Sequence, residues 1–441
     1  MKISQLPSLS KRPPRIAISQ SLIVVLVAIS LVLVETFSGA LRYYFDQAGL
    51  SALLYLPKAA CLGLFGLQLL NFKGGRGFWI MLLLLAIAAL LGMLHGAVLG
   101  NVGFALYMYS PFLFGVVCGV HLEHRKRLLA LVILFCLAAS LVGIALDKYT
   151  AVPWKGYSYN IGDTELSANQ SWSENGVDRI AGFTRLSTSL SVMIAIFSLY
   201  LSAFTRSRWV MAVLFAISIA AIYLTTNKST VVAFACTLAL LPLLRNRLTC
   251  RAIFCVVVAM GIALPIIGLW VDFDPNAATA QSGSLSSFYD RLINTWPNLA
   301  HNQWVQGWSV WGAGFGMVGS SVSAFPVMTA NVPIVADNSA LYLWATFGIG
   351  GLALYLMMVP LMMRLRDKTT RLARALTSIC FCLTLISWTT DIPEVSVATL
   401  FLGMAVALVL RRKAMPVSAG SHDRPRPPRQ PAYATPFRTI N

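Results

Sequence analysis

Two short segments of this 441-residue chain carry cations beside glycine or small polar residues, a pattern suited to anion binding. The segment DRIAGFTR runs from Asp178 to Arg185 and includes Arg179, and the segment TTNKSTVV contains Lys228. A guanidinium donates paired hydrogen bonds to a phosphate, and a partly desolvated lysine is strongly attracted to one. We therefore interpret Arg179, Arg185 and Lys228 as candidate diphosphate ligands. Anchoring at a membrane surface is the alternative for Arg185 and Lys228.

The interval 271–337 holds a second group of residues that could do chemistry. Its ionisable side chains include Asp272, Asp274, Asp290, Arg291, His301 and Asp337, and its aromatic side chains include Trp296, Trp304, Trp308 and Trp311. A carboxylate or an imidazole can act as a general base, and tryptophan suits a sugar because it joins apolar area to a hydrogen-bonding edge. The interval therefore predicts a carbohydrate surface with a base. The alternatives are an interfacial aromatic belt and, for His301, a solvated surface histidine.

The composition excludes a soluble protein. Hydrophobic residues make up 57% of the chain and charged residues 11%, and the mean hydropathy is +0.71. A soluble protein of this length would have too little polar surface to cover that apolar area. The net charge of +18 does not indicate a nucleic-acid partner, because the basic residues are dispersed among short connections instead of forming one patch. We expect an all-α polytopic membrane protein.

About twelve apolar stretches approach the roughly 20 residues that a helix needs to cross a bilayer. We predict spans at about 17–38, 49–71, 77–95, 99–120, 128–146, 186–204, 209–226, 229–244, 252–270, 338–362, 374–389 and 394–410. The side with both termini then holds 26 of the 34 lysines and arginines, but only three acids: Glu123, Asp367 and Asp423. Such an excess marks the cytoplasmic face. The first apolar run is long enough to be a retained helix instead of a cleaved signal peptide.

Residues 1–410 are predicted to form a single integral membrane domain with two long outer loops, at about 147–185 and 271–337. Loops of this length are usually functional or disordered, and their interleaved aromatic residues argue against disorder. The tail 411–441 is basic, rich in proline and poor in apolar residues, and we expect it to be disordered in the cytoplasm. Inside the spans, Lys58 is unusual, and we expect it to contact an acid.

The order of five segments resembles that of the O-antigen ligase and polymerase family of bacterial envelope polysaccharide synthesis. The segments are RIAGFT, TTNKST, RLINTW, GWSVWGAGFG and ADNSALYLWATFGIGGL, and they lie within about 175–360. Twelve spans, with the largest outer loop between the ninth and tenth, also match that family. The resemblance implies a fold like that of C-type membrane glycosyltransferases and a place in the bacterial inner membrane. It further implies a metal-independent enzyme without a cofactor, which acts at the periplasmic face on a glycan linked to undecaprenyl diphosphate.

The resemblance also implies roles for individual residues. Arg291 would bind the diphosphate together with Arg179 and Lys228, and Asn338 would join the tryptophans in binding glycan. Asp337 stands where ligases of the family typically have histidine. This departure favours a polymerase that joins lipid-linked repeat units into exopolysaccharide, capsule or O-antigen. An O-antigen ligase, which transfers glycan to lipid A-core or another acceptor, is the alternative.

The chemistry of such a transfer fits these residue types. Loss of a lipid diphosphate from an anomeric carbon needs cations that stabilise the departing charge and a base for the acceptor hydroxyl. Arg291 is one of the candidate cations. Asp337 is the first candidate for the base, and Asp290 and His301 are the others. Alternatively, Asp337 orients an arginine. A single displacement would invert the anomeric centre, and no metal is needed because diphosphate is already a good leaving group.

Two other classes of protein remain open at this point. Many lipid-linked sugar transporters have internal repeats around a midplane site, and no repeat is evident here. A non-catalytic scaffold of an export assembly would not need cations on the acid-rich side. The partners expected for a polymerase are the lipid-linked donor and acceptor, membrane lipid, and a chain-length regulator and flippase of the same pathway.

Overall fold

The computed structural model describes residues 19–161, 164–169, 173–174, 177–240, 246–271, 286–327 and 335–410. The predicted site residues Asp272 and Asp274, and the tail 411–441, lie outside the described residues. The described residues up to Leu410 form one compact unit.

Helices dominate the described chain, as the apolar stretches predict. They are α1 Gln20–Thr36, α2 Ser38–Gln47, α3 Leu56–Leu69, α4 Arg76–Leu94, α5 Leu99–His124, α6 Lys126–Tyr149, α7 Ser187–Ser202, α8 Arg208–Leu224, α9 Lys228–Leu240, α10 Arg247–Trp270, α11 Ser286–Asp290, α12 Trp296–Val305, α13 Ser320–Ala324, α14 Ser339–Phe347, α15 Ile349–Leu356, α16 Met358–Arg366, α17 Arg371–Ile386 and α18 Ser396–Leu410. Short 3-10 turns at Ser51–Tyr55 and Ile392–Glu394 precede α3 and α18. A π-helical turn at Arg291–Thr295 joins α11 to α12.

The helices confirm the prediction of a multi-pass membrane protein. Six described helices or helix runs are long and apolar enough to cross a bilayer, and a seventh is added if α1 and α2, which are bent by 87°, count as one span. Four shorter apolar helices accompany them: α7, α8, α9 and α18. Each of the twelve predicted intervals overlaps a described helix, although α17, in the interval 374–389, belongs to neither group.

The core of the fold is a close crossing of α5 and α18. A Cβ atom at Gly115 would lie 2.6 Å from the Leu400 carbonyl oxygen, and one at Gly403 would lie 2.4 Å from that of Phe112. Only glycine leaves room for this approach, which resembles the small-residue contacts of membrane helices. The crossing brings the turn before α18 next to α5.

The described part of the first long loop is folded, although it has little regular structure. Two antiparallel hairpins pair Ser158–Ile161 (β1) with Thr164–Ser167 (β2), and Ser173–Glu174 (β3) with Val177–Asp178 (β4). They are the only strands among the described residues, so the fold remains all-α in class.

The expected partner of the intramembrane lysine is present. Lys58 Nζ lies 2.9 Å from Glu35 Oε1, so α1 and α3 are joined by an ion pair. The two side chains are only 12% and 24% exposed, and a buried charge of either sign needs such a partner. This prediction is confirmed.

Candidate functional site

The candidate site is built around a turn of three residues that precedes α14. The buried carboxylate of Asp391 accepts hydrogen bonds from the backbone N–H groups of Ala336 and Asp337 through Oδ2, and from that of Asn338 through Oδ1. All three N···O distances are 3.1 Å. One side chain from the connection between α17 and α18 therefore fixes the path of the chain into α14.

This turn places Asp337 in a backbone conformation that most residues avoid. Its φ is +50°, in the left-handed region, which aspartate and asparagine tolerate better than other side chains with a Cβ atom. The amide hydrogen bonds to Asp391 on both sides of Asp337 offset the cost of that conformation. Strained backbone of this kind is common at functional sites.

Asp337 forms an ion pair with Arg291, 46 residues earlier in the chain. Arg291 Nε donates to Asp337 Oδ2 at 3.0 Å, and Arg291 Nη1 donates to the Ser287 carbonyl oxygen and Oγ at 3.3 Å each. The Arg291 side chain is 20% exposed and that of Asp337 is 32% exposed, so both reach solvent. The structure thus brings together the two residues first proposed for catalysis.

Asn338 has a structural role. It is fully buried, and its Oδ1 caps α14 by accepting from the Leu341 N–H at 2.9 Å. Its Nδ2 donates to the carbonyl oxygens of Gly261 and Trp388, at 2.9 and 3.1 Å. Since these contacts occupy the amide, the structure gives no support to the prediction that Asn338 binds glycan.

A second carboxylate lies close to this turn. Glu394 Oε1 accepts from Tyr342 Oη at 2.7 Å and from the Ser320 N–H at 3.3 Å, and Ser320 Oγ donates to Oε2. Burial raises the pKa of Asp391 to about 7, and the carboxyls of Asp337 and Glu394 add to the shift, although the amide hydrogen bonds oppose it. Three acids and one arginine thus share this end of the helices.

An apolar cavity of about 400 Å³ begins beside the turn. One end of the cavity is lined by Ser339, which follows the turn, and by Ile392, which follows Asp391. The other end is lined by Arg364 and Leu410. Between them the walls are mainly leucine, methionine and phenylalanine from α4, α5 and α14–α18. The cavity therefore follows the length of α18, from the acid-rich end to the basic end.

The predicted Asp178–Arg179 segment is held by other residues. Asp147, at the end of α6, accepts from the N–H groups of Ala181 and Gly182 through Oδ2, at 2.9 Å each. Lys155 Nζ lies 3.1 Å from Asp147 Oδ1 and 3.3 Å from Asp178 Oδ2. Asp178 is therefore paired with Lys155, and Arg179, the next residue in the chain, is partly buried.

The other two candidate cations are exposed. Arg185 Nε donates to the Ser167 carbonyl oxygen at 2.9 Å. Lys228 is the first residue of α9, after a three-residue connection capped by Asn227, whose Oδ1 accepts from the Thr230 N–H at 3.3 Å. The predicted spans 209–226 and 229–244 likewise leave only a short connection here.

The four tryptophans separate into two pairs. Trp296 is fully buried, and Trp308 is 8% exposed and stacks on His95 with ring centroids 4.9 Å apart. Neither offers an open ring face, so the structure gives no support to sugar stacking at these two positions. Trp304 and Trp311 are 75% and 68% exposed, so their rings are accessible to a ligand in solution.

The two lesser candidates for the base lie on exposed surface. Asp290 accepts from Asn294 Nδ2 at 2.7 Å, and His301 lies on the exposed side of α12. Neither contributes to the contacts described at the Asp337 turn. Asp337 therefore remains the first candidate.

Sequence reasoning missed Asp391 and Glu394. Both lie in the segment DIPE between the last two apolar stretches, and a pair of acids in so short a connection on the acid-rich side was the available signal. Their partners could not be inferred, because Asp391 binds backbone amides more than 50 residues away.

Comparison with protein-family models and with curated proteins gave no match for this chain.

Proposed function

We propose that this protein is a membrane glycosyltransferase that polymerises oligosaccharide repeat units linked to undecaprenyl diphosphate. The observation that carries the proposal is the Arg291–Asp337 ion pair at the turn into α14, because Ser339, two residues after Asp337, lines one end of the apolar cavity. A cation beside a carboxylate supplies charge stabilisation and a base, and an adjoining apolar groove suits a polyprenyl chain. The resemblance of the sequence motifs points in the same direction.

In this proposal, the donor's lipid chain occupies the cavity and its diphosphate lies near Arg291. Arg291 and Asp337 act together: the guanidinium stabilises the departing diphosphate, and Asp337 Oδ1, which is not used by Arg291, accepts the proton of the acceptor hydroxyl. Arg179 and Lys228 are proposed to add positive charge for the lipid-linked substrates, and Trp304 and Trp311 to contact the glycan. The reaction is a single displacement with inversion.

The proposed orientation follows the charge distribution. Twelve spans, with both termini in the cytoplasm of a bacterial inner membrane, put Arg291, Asp337, Asp391 and Glu394 on the periplasmic side. Lipid-linked repeat units that have been flipped across the membrane would be polymerised on that side. The fold proposed is of the C-type glycosyltransferase kind.

The decisive experiment uses purified full-length protein in lipid nanodiscs. Lipid-linked repeat units are extracted from cells in which the gene of this protein is deleted, and are then incubated with the protein. Gel electrophoresis of the glycans should show lipid-linked chains of increasing length with the wild type and almost none with Arg291→Gln. Arg247→Gln is the matched control, because it removes an arginine that pairs with an aspartate, Asp367, on the basic side.

The outcome separates the candidate functions. Unextended glycan transferred to added lipid A-core would identify a ligase. Glycolipid that crosses the bilayer of a proteoliposome without chain growth would identify a transporter. An Arg291→Gln variant that polymerises normally would refute the proposed site even if the wild type is a polymerase.

A further inference from the structure

A second cationic site lies on the first outer helix, α2. The guanidinium carbon of Arg42 lies 5.0 Å from the ring centroid of Tyr55 and 4.3 Å from that of Tyr159, both within the range of cation–π contacts. The bend of 87° between α1 and α2 turns α2 across the axis of the first span. Arg42 therefore lies near the outer membrane boundary in the proposed orientation.

The two rings leave the donors of Arg42 available. Aromatic rings contact the faces of a guanidinium, whereas its five N–H groups point outward at its edge. Arg42 forms no salt bridge and donates no side-chain hydrogen bond to any residue that the structure describes. The nearest acid on its own helix, Asp46, accepts from Ser51 Oγ at 2.8 Å and from Tyr157 Oη. A positioned and partly desolvated guanidinium of this kind suits a phosphate.

Arg185 adds a second positive charge to the same place. Arg185 Nε donates a hydrogen bond to the carbonyl oxygen of Ser167. Ser167 pairs with Ser158 in the hairpin, and Ser158 directly precedes Tyr159. Burial raises the pKa of Tyr159, and the charges of Arg42 and Arg185 both oppose that shift, so both cations act on one phenol. Two cations near one ring repel each other, and an anion bound between them offsets that repulsion. The arrangement thus favours a ligand with more than one negative charge.

Helix α5 separates this cationic site from the Asp337 turn. Tyr55 contacts Tyr107 of α5, with ring centroids 6.0 Å apart, whereas Tyr109 of α5 lines the cavity beside the turn. A separation of two residues on a helix corresponds to roughly 200° of rotation, so these two tyrosines point to opposite sides of α5. The two sites therefore flank one helix, which is about 10–12 Å wide. A short oligosaccharide can bridge that separation.

We propose that Arg42 and Arg185, with Tyr55 and Tyr159, bind the diphosphate of the lipid-linked acceptor, while Arg291 serves the donor. The proposal rests on the polymerase function proposed above. A polymerase must hold two lipid diphosphates at once, and the structure offers two cationic sites on either side of α5.

Lipid binding tests the second site without relying on activity. Native mass spectrometry of the purified full-length protein with undecaprenyl diphosphate should show two bound lipids for the wild type. Arg42→Gln and Arg291→Gln should each bind one, and the double variant none. Arg251→Gln, which removes an exposed cation from the basic side, is the control and should bind two. A wild type that binds at most one lipid, or an Arg42→Gln variant that still binds two, would overturn the proposal.

The source of the anion is distinguished by competition. Phosphatidylglycerol at equal concentration should leave the Arg42-dependent lipid bound, because one phosphate offers fewer contacts than a diphosphate. Displacement of the Arg42-dependent undecaprenyl diphosphate by phosphatidylglycerol at equal concentration would show a general phospholipid site and would also overturn the proposal. Arg42→Lys should behave like Arg42→Gln, since an ammonium does not replace a stacked planar fork.

Kinetics separates this proposal from the proposed function. With wild-type polymerisation established, Arg42→Gln should raise the half-saturating acceptor concentration about tenfold or more, as expected for loss of hydrogen bonds to a charged group. The maximal rate should be retained, and an acceptor glycan without diphosphate should show no difference between variant and wild type. Normal elongation with an unchanged half-saturating concentration would refute the acceptor site alone.

Discussion

Replacement of Asp337 by asparagine tests the catalytic assignment with little disturbance of the fold. Asparagine has the size of aspartate and tolerates the φ of +50° found at this position. The three amide hydrogen bonds to Asp391 involve the backbone of the turn, so the substitution leaves them intact. The amide oxygen can still accept from Arg291 Nε. What is lost is the negative charge and the basic oxygen.

The expected effects on stability and on rate differ in size. The ion pair with Arg291 is partly exposed, so its loss should cost about 1 kcal/mol of folding free energy or less. A stable protein with about 5–15 kcal/mol in reserve stays folded after such a loss. Removal of a general base lowers the rate by about 100-fold to 10,000-fold, or about 3–5 kcal/mol of activation free energy. A large rate defect with a small change in stability therefore identifies chemistry.

The assay compares initial rates of chain elongation in nanodiscs together with thermal unfolding of the same preparations. Asp337→Asn should elongate at least about 100-fold more slowly and accumulate unextended repeat units. Asp367→Asn, which removes an aspartate from an exposed arginine pair on the basic side, should retain the wild-type rate. Elongation by Asp337→Asn within about threefold of the wild-type rate would exclude Asp337 as the base, since such a loss is far below the general-base range. Normal chains that fail only to reach lipid A-core would indicate a ligase.

Three further outcomes are expected. Arg291→Lys should lose more than about 90% of the elongation rate, because an ammonium cannot keep both the Asp337 contact and a planar fork for the diphosphate. Asp391→Asn should weaken the pH dependence of stability. The pKa of Asp391 is raised from 3.8 to about 7 in the folded chain, so the contribution of Asp391 to stability falls as the pH rises between those values. Thermal unfolding at pH 5 and pH 8 measures the difference. A cysteine at Ser167 should react with an impermeant thiol reagent in intact cells, whereas one at Ser421 should not, and the reverse result would invert the topology.

The helices were predictable because their signal is local. Apolar stretches of spanning length and the distribution of basic residues are properties of the sequence itself, and a helix occupies each predicted interval. The Lys58 contact was predictable for a similar reason, since an intramembrane cation needs a nearby acid. The bend between α1 and α2, in contrast, depends on tertiary contacts such as the hydrogen bonds from Gly39 and Ala40 to the Phe183 carbonyl oxygen.

The candidate site was predictable only in part. Asp337 and Arg291 were selected by residue type and by the resemblance of their motifs, but their contact spans 46 residues and no spacing rule predicts it. Trp296 shows a different limit, because a buried and an exposed tryptophan look alike in a sequence until the loop around them is folded. The buried tryptophan packs its ring edge-on against Phe288, at 5.9 Å between centroids.

The hydrogen bonds at the start of α14 limit which groups are available to the proposed diphosphate. A helix N-terminus is often an anion site because its first N–H groups are unpaired. Here the Ser339 N–H donates to the Ser387 carbonyl oxygen, and the Leu341 N–H donates to the side chain of Asn338. The three preceding amides are taken by Asp391. Most amides at this turn are therefore already paired, which favours side chains as the source of positive charge for the proposed diphosphate, with Arg291 the cation that directly contacts Asp337.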